Sequence, residues 1–346
     1  GATNITSSSA DIFWTTGGAS NWIVEYGLAG FTPGTGTTLL ATNDTITLSG
    51  LMAATGYEFY VQDSCGAGDL SLQTGPFLFN TACPASFAAP YSTDFEGISL
   101  GNNLSYENCW TKGATSSMGW IADIGGTPSS GTGPLVDNTS GTSTGTYFFL
   151  ETSSGSTGDT NVLYSPAIDI TTLTTPMLSF YYHMVGATMG QLTVVAEDAS
   201  GTRTPLDSLV GQQQTAQSDP WAEKQILLSS LTPGTYRFLF VGERGSSFTG
   251  DMAIDDFSVV EAPSCFASSN LSVVSVEDQS ATLTWTPGTG TSFDIEYGPV
   301  GFAPGTGTII NTINDTVTIT GLTASTAYDF YVTDSCGANG LSTTAG

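Results

Sequence analysis

The sequence predicts an all-β protein built of three β-sandwich modules, and two observations carry that prediction. Short runs of aromatic and β-branched residues alternate with polar ones between Gly, Asn and Asp turn signals. In Tyr57, Phe59 and Val61 a period of two puts all three on one strand face, with Glu58, Tyr60 and Gln62 on the other. The chain also repeats itself: residues 1 to 75 align without a gap on residues 272 to 346, with Trp14, Tyr57 and Cys65 each standing 271 positions before Trp285, Tyr328 and Cys336. Roughly half of the aligned positions are identical, so the flanks are two copies of one structural unit. No segment sustains a helical period.

Composition bounds the function. A length of 346 residues suits two or three cores of ordinary size. Acidic residues outnumber basic ones 31 to 5, and all five basic residues, Lys112, Arg203, Lys224, Arg237 and Arg244, lie between the two copies. Such a field repels phosphate backbones, which excludes nucleic acid as a partner. Only 10% of the residues are charged, so the surface is expected to be Thr, Ser, Gly and Asn, as in a secreted protein, extracellular or held at a cell surface. Apolar runs such as RFLFVG fall far short of the roughly 20 residues of a spanning helix, so no membrane span is expected. No basic and then apolar leader stands at Gly1, and any export signal is expected outside these residues.

In chain order, the first copy runs through a strand bearing Trp14, the shared texts EYG and PGTGT, and the alternating YEFYV, then continues into PFLFNT as a natural last strand. The second copy stops at Gly346, where that strand would begin, and the first copy lacks the counterpart of the leader PSCFASSNL. The expectation is a sheet edge completed by neighbouring repeats of the same protein or by self-association with another chain, since unpaired edges attract backbone. GATMG and PGTGT lack the lysine and the strand-to-helix setting of a phosphate loop and read as turns.

A buried Trp, a Leu before a turn and a Tyr opening the next long strand, in SGLMAATGYEFYV and TGLTASTAYDFYV, resemble the fibronectin type III domain. The resemblance gives a domain at 1–82 with a truncated first strand and one at 262–346 without its last strand. Residues 83–261 carry TDFEG, NCW, GPLVDNTSGTSTGTY, the paired strands of Met177 to Ala196 (MLSFYYHMVGATMGQLTVVA) and IDDF. These motifs, in this order, resemble the MAM domain. That family implies a two-sheet jelly-roll sandwich that serves adhesion and self-association without catalysis.

Five cysteines suit an oxidising compartment. Cys265 precedes the first strand of the second copy and Cys336 ends a later strand at the same expected pole, so the two are paired. Cys83 and Cys109 sit where the MAM resemblance implies a disulfide. Cys65 is left unpaired in this chain, its expected partner being the counterpart of Cys265 six positions before Gly1. His183, the one histidine, lies in the strand SFYYHM and reads as a packed residue rather than a catalytic one.

The best site expectation is a structural cation. In IDDF, Asp255 is expected to share a strand face with Phe257 and Val259, where an ion is costly unless paired or metal-bound. First and last strands of a jelly roll are neighbours, which brings Glu96 near it, and Asp137 of GPLVDNT is the third candidate ligand. Hard carboxylate oxygens without imidazole or thiolate favour calcium over zinc. Asp94, Asp256 and Asp123 are the substitutes; the alternative is that these acids cap turns or accept backbone N–H bonds. Candidate glycosylation sites are Asn43 and Asn314 in Asn-x-Ser/Thr sequons. Thr45, Thr316 and Ser208 stand in Asp-Thr-Ile, Asp-Thr-Val and Asp-Ser-Leu, which resemble the O-glycosylation sequence of Bacteroidetes surface proteins. Asn-Asp-Thr is also a good turn.

The expected function is that of a non-catalytic extracellular structural or adhesive repeat protein of a bacterial surface, building a cell-surface stalk or extracellular fibre. The alternative is the accessory carbohydrate- or protein-binding region of a secreted peptidase or glycoside hydrolase, with cell-surface glycans or proteins as partners. Trp22, Trp120 and Trp221 are then candidates for a sugar-stacking platform.

Overall fold

The computed structural model describes residues 1–66, 69–103, 107–114 and 118–346. Alternation becomes strand throughout, and the chain falls into two compact units, Gly1–Glu261 and Ala262–Gly346.

Residues 1–82 form two sheets over one core. Ala2–Thr3, Ser9–Phe13 and Thr45–Ser49 make one; Thr37–Ala41, Asn21–Leu28 and Gly56–Gly66 make the other, with Thr74–Asn80, the expected last strand, pairing with Gly56–Gly66. Tyr57, Phe59 and Val61 are buried with Ile12, Val24 and Leu48, and burial of such side chains stabilises by about 1.5–3 kcal/mol each. The second copy repeats the arrangement: Ser269–Glu277, Ser280–Thr286 and Thr316–Thr320 form one sheet, and Thr308–Thr312, Ser292–Pro299 and Tyr328–Ser335 the other. At its end Ala345 bridges to Val332.

The shared texts have physical reasons. Glu25 of the first EYG accepts the N–H groups of Gly34 and Gly36 in PGTGT at 2.7 and 2.9 Å, and Glu296 accepts those of Gly305 and Gly307 at 2.8 and 2.6 Å. The Tyr57 hydroxyl accepts the Met52 N–H at 2.9 Å, and Tyr328 accepts that of Thr323 at 3.1 Å, which ties the turn after each Leu to the following strand.

The central region is a two-sheet sandwich. One sheet runs Gly119–Ile124, Thr146–Glu151, Met252–Glu261, Pro176–His183, Ala222–Leu227, with Tyr91–Thr93 also paired to Met252–Glu261. The other contains Thr111–Lys112, Thr160–Tyr164, Thr235–Glu243, Ile168–Asp169 and Phe87–Ala88, with Gln191–Asp198 pairing both Thr235–Glu243 and Arg203–Val210. The core between them holds Phe95, Trp110, Trp120, Phe148, Phe180, Phe240 and Phe257. The stretch from Met177 to Ala196 does form two strands, but they belong to different sheets, so its Gly-bracketed turn carries the chain across the sandwich.

Candidate functional site

The acids singled out from the sequence meet around one loop, residues 137–146, which leads into the strand Thr146–Glu151. Asp137 organises the loop from within. Its carboxylate accepts the Ser140 N–H at 2.7 Å, the Ser140 hydroxyl at 2.7 Å and the Thr142 N–H at 2.9 Å. This is the side-chain mimicry of a backbone turn that Asp performs well. The carboxylate lies directly on Gly145, where any Cβ would collide with it.

Two other elements hold the loop from outside. Glu96, just past Tyr91–Thr93, accepts the Thr146 N–H at 3.0 Å. Asp255 accepts the Asn138 N–H at 2.8 Å through Oδ2 and the Asp256 N–H at 2.9 Å through Oδ1. Asp256 receives Asn138 Nδ2 at 2.6 Å and the Thr139 hydroxyl at 2.7 Å. The pairing of Tyr91–Thr93 with Met252–Glu261 is what brings the Glu96 region to this end of the last strand. Of the substitutes, Asp94 accepts the Glu96 N–H at 3.1 Å and Asp123 the Ile124 N–H at 2.9 Å.

The face expected for Asp255 is corrected by the structure. Met252 and Ile254 point into the core, and so do Phe257 and Val259, an offset of three between Ile254 and Phe257. Asp256 has a φ of 47°, and the pairing register with Pro176–His183 shifts opposite it, so a bulge resets the alternation. Asp255 therefore shares the outer face with Ala253, where the loop covers it, and it is 0% exposed.

Burial dominates the electrostatics. It pushes Asp255 up to about 8, and the charge of Asp256 adds to the rise. Burial also works against the charged form of Asp137, but the Ser140 and Thr142 donors outweigh it and hold that carboxyl below its ordinary value. Asp251, immediately before the same strand, is raised to about 6 by burial and then by Glu151; its Oδ1 accepts the Thr152 N–H at 3.1 Å and hydroxyl at 3.0 Å. At neutral pH Asp255 thus holds a proton or needs a cation. Among the described residues no group of three His, Cys, Asp or Glu side chains converges closely enough to hold a metal ion by itself, so a cation here would lean on backbone and hydroxyl oxygens.

Other expected residues have plain locations. Cys83 is bridged to Cys109 and Cys265 to Cys336, each with Cα atoms 5.7 Å apart, and Cys65 is free and exposed. His183 is fully buried against Trp221, ring centroids 5.7 Å apart, and burial lowers it to about 4, so it is neutral. Trp22 and Trp120 lie in the cores, 4% and 0% exposed, and offer no sugar platform; Trp221 is half-buried with its indole N–H on the Val136 carbonyl at 3.0 Å. Asn43, Thr45, Ser208, Asn314 and Thr316 are all exposed.

Among the buried acids that escaped the sequence reading, Asp334 is the one with the most donors. Asp334 of the second copy is 0% exposed and accepts four donors: the Ser268 N–H and hydroxyl at 2.7 Å each, and the N–H groups of Gly288 and Gly290 at 3.0 and 3.3 Å. Its signal was the period of two that places it in phase with Val332.

Comparison with known proteins agrees with this architecture. The fibronectin type III domain matches residues 262–344. MAM domain-containing glycosylphosphatidylinositol anchor protein 1 of Gallus gallus is 35% identical over 129 residues, 37% of this chain and 13% of that protein. Anchor protein 2 of Homo sapiens is 33% identical over 162 residues, 44% of this chain and 16% of that protein. The chain thus spans a small part of the curated relatives it matches. Among solved structures, the K1 cleaved adhesin domain of Lys-gingipain from Porphyromonas gingivalis W83 is similar at 18% identity and a TM-score of 0.35, over 50% of this chain and 99% of that one. The MAM domain, meprin/A5/mu, matches residues 93–266, half of the chain, and the protein belongs to that family.

Proposed function

We propose that this chain is a stretch of an extracellular, non-catalytic adhesion protein in which β-sandwich modules are strung in tandem as a stalk or fibre at a bacterial surface. The observation that carries the reading is modularity. Each of the three sandwiches encloses its own hydrophobic core, and MAM and fibronectin type III domains are non-catalytic modules. In this reading residues 1–82 are a further fibronectin-like module, and the exposed Thr45, Thr316, Ser208, Asn43 and Asn314 present sugars on a surface with few charged residues, nearly all of them acidic. The partners are further copies of the protein and cell-surface glycans or proteins.

Calcium belongs to the same proposal. A hard divalent cation at Asp255 would replace the proton that burial otherwise imposes, drawing on Asp137, Glu96 and oxygens of the 137–146 loop. A cation present at a hundred times its dissociation constant adds roughly 2.7 kcal/mol. Beads coated with the protein should aggregate with one another or capture glycan- or cell-bearing surfaces, more strongly in calcium than in chelator. Beads that stay dispersed and capture nothing in either condition contradict the adhesive reading.

The second reading, an accessory carbohydrate-binding region, is favoured by one feature. A pocket of about 420 Å³ is lined by Phe87, Tyr91, Asp94, Asn108 and Asp256, a mixture of rings and hydrogen-bonding groups suited to a sugar. A glycan array answers it: binding lost in Tyr91→Ala supports this pocket, and an array without signal removes it.

A further inference from the structure

The last strand of the central sandwich changes neighbours where it bulges. Met252–Glu261 pairs along one side with Pro176–His183; on its other side it pairs with Thr146–Glu151 up to Ile254 and with Tyr91–Thr93 from Phe257 onward. Asp256, with its φ of 47°, stands at the handover. The pocket of about 420 Å³ opens beside it, bordered by residues 91–94 and 256–258 and by Phe87 and Asn108.

The polar groups of this pocket are unevenly committed. Asp256 has both carboxylate oxygens taken, by Asn138 Nδ2 and the Thr139 hydroxyl, and the Ser258 hydroxyl is shared with Ser179 at 2.9 Å. Asp94 receives the Glu96 N–H on Oδ1 alone; among the described residues its Oδ2 and the Asn108 side chain have no hydrogen-bond partner, and both residues are exposed. Each stands beside a fixed neighbour. Phe95, at φ 58°, is 0% exposed in the core, and Cys109, at φ 67°, is bridged to Cys83; Asn108 itself has a φ of 58°. Non-glycine residues in this conformation persist where the surroundings hold them, and they gather at binding sites. The Phe87 and Tyr91 rings, centroids 5.2 Å apart, add apolar surface.

We propose that the pocket takes an uncharged sugar residue through neighbouring hydroxyls, with Asp94 accepting from them, Asn108 donating back and Tyr91 against the C–H face of the ring. The assignment deepens the carbohydrate-binding reading and rests on it. Three features choose this ligand. Sugar hydroxyls both donate and accept, and Asp94 with Asn108 offers a free acceptor beside an amide that does both. No Lys or Arg lines the pocket while two carboxylates do, in a chain of net charge −26, so sialylated, uronic and sulfated sugars are repelled. An amino sugar would draw on both carboxylates, but Asp256 is already satisfied by Asn138 and Thr139.

The test passes the whole chain over a glycan array carrying neutral hexose, glucosamine and sialylated ends, and then titrates the best neutral sugar by calorimetry. Neutral ends should bind and sialylated ends should not. Asp94→Asn keeps the shape of the site and should weaken binding about tenfold, the loss of a hydrogen bond to a charged acceptor. Asn108→Gly removes the amide while accepting the positive φ, and should weaken it to a similar degree. Both residues are exposed, so an unchanged melting temperature should accompany each loss. An array without signal overturns the assignment together with the carbohydrate-binding reading. Binding that is lost in Tyr91→Ala but indifferent to Asp94→Asn and Asn108→Gly, or that prefers glucosamine or sialylated ends, leaves that reading standing and overturns this assignment alone.

Discussion

In the second sandwich Asp334 is sealed beneath Ser264–Leu271 and receives four donors, while in the first its counterpart Asp63 is half-buried with its carboxylate against Gly17. The two acids share a strand position and a Gly neighbour, and Asp334 takes two of its four donors from Ser268. The central region supplies a third case. Asp255 is as deeply buried as Asp334, and although the backbone N–H groups of Asn138, Thr139 and Asp256 favour its charged form, burial drives it up to about 8. What a buried carboxylate does here depends on how many donors the fold brings to it.

The comparison of copies is broken or sharpened most strongly at the cysteines. Cys265→Ser with Cys336→Ser opens a loop spanning 71 positions and should cost about 4 kcal/mol by the chain-entropy argument, read from denaturant unfolding. Cys65→Ser should move stability by less than about 0.5 kcal/mol. Next come the acids. Asp334→Ala strands the N–H groups of Ser268, Gly288 and Gly290 and should cost about 3 kcal/mol, whereas Asp63→Ala should cost under about 0.5 kcal/mol. Similar losses at both positions would mean that the overlying segment does not set the acid's contribution. The smallest contrast lies at the glycines. Gly288→Ala meets the fixed backbone of Phe266 and should cost about 2 kcal/mol, while Gly17→Ala meets only the movable end of Asp63 and should cost less than about 1 kcal/mol.

Much of this was legible beforehand because it rests on periodicity and repetition. The phase of Tyr57, Phe59 and Val61 located a core face, the EYG and PGTGT texts survive together because one carboxylate holds two glycine N–H groups, and the ordered motifs from TDFEG to IDDF marked a MAM domain. The acids around the 137–146 loop were named together because first and last strands pair. What was not legible needed three-dimensional knowledge. A single residue with positive φ, Asp256, turned Asp255 to the other face, which no period reveals. Nor does a Trp disclose from its identity whether it faces a core or a ligand; Trp22 and Trp120 went inward. Asp63 and Asp334 were in phase with Val61 and Val332, and the period does not tell their surroundings apart.

The measurement closest to the central claim is the unfolding stability of the chain as a function of pH, in chelator and in calcium, with Asp255→Asn as the reference. A carboxyl raised from 3.8 to about 8 binds its proton more tightly folded than unfolded. Its contribution is therefore complete below about pH 4 and is lost as the pH rises through about 8. In chelator the unaltered protein should lose stability across that window relative to Asp255→Asn, and calcium should flatten the loss by replacing the proton. Identical pH profiles for the two proteins, unchanged by calcium, would contradict the account of Asp255 as a buried carboxylate short of donors.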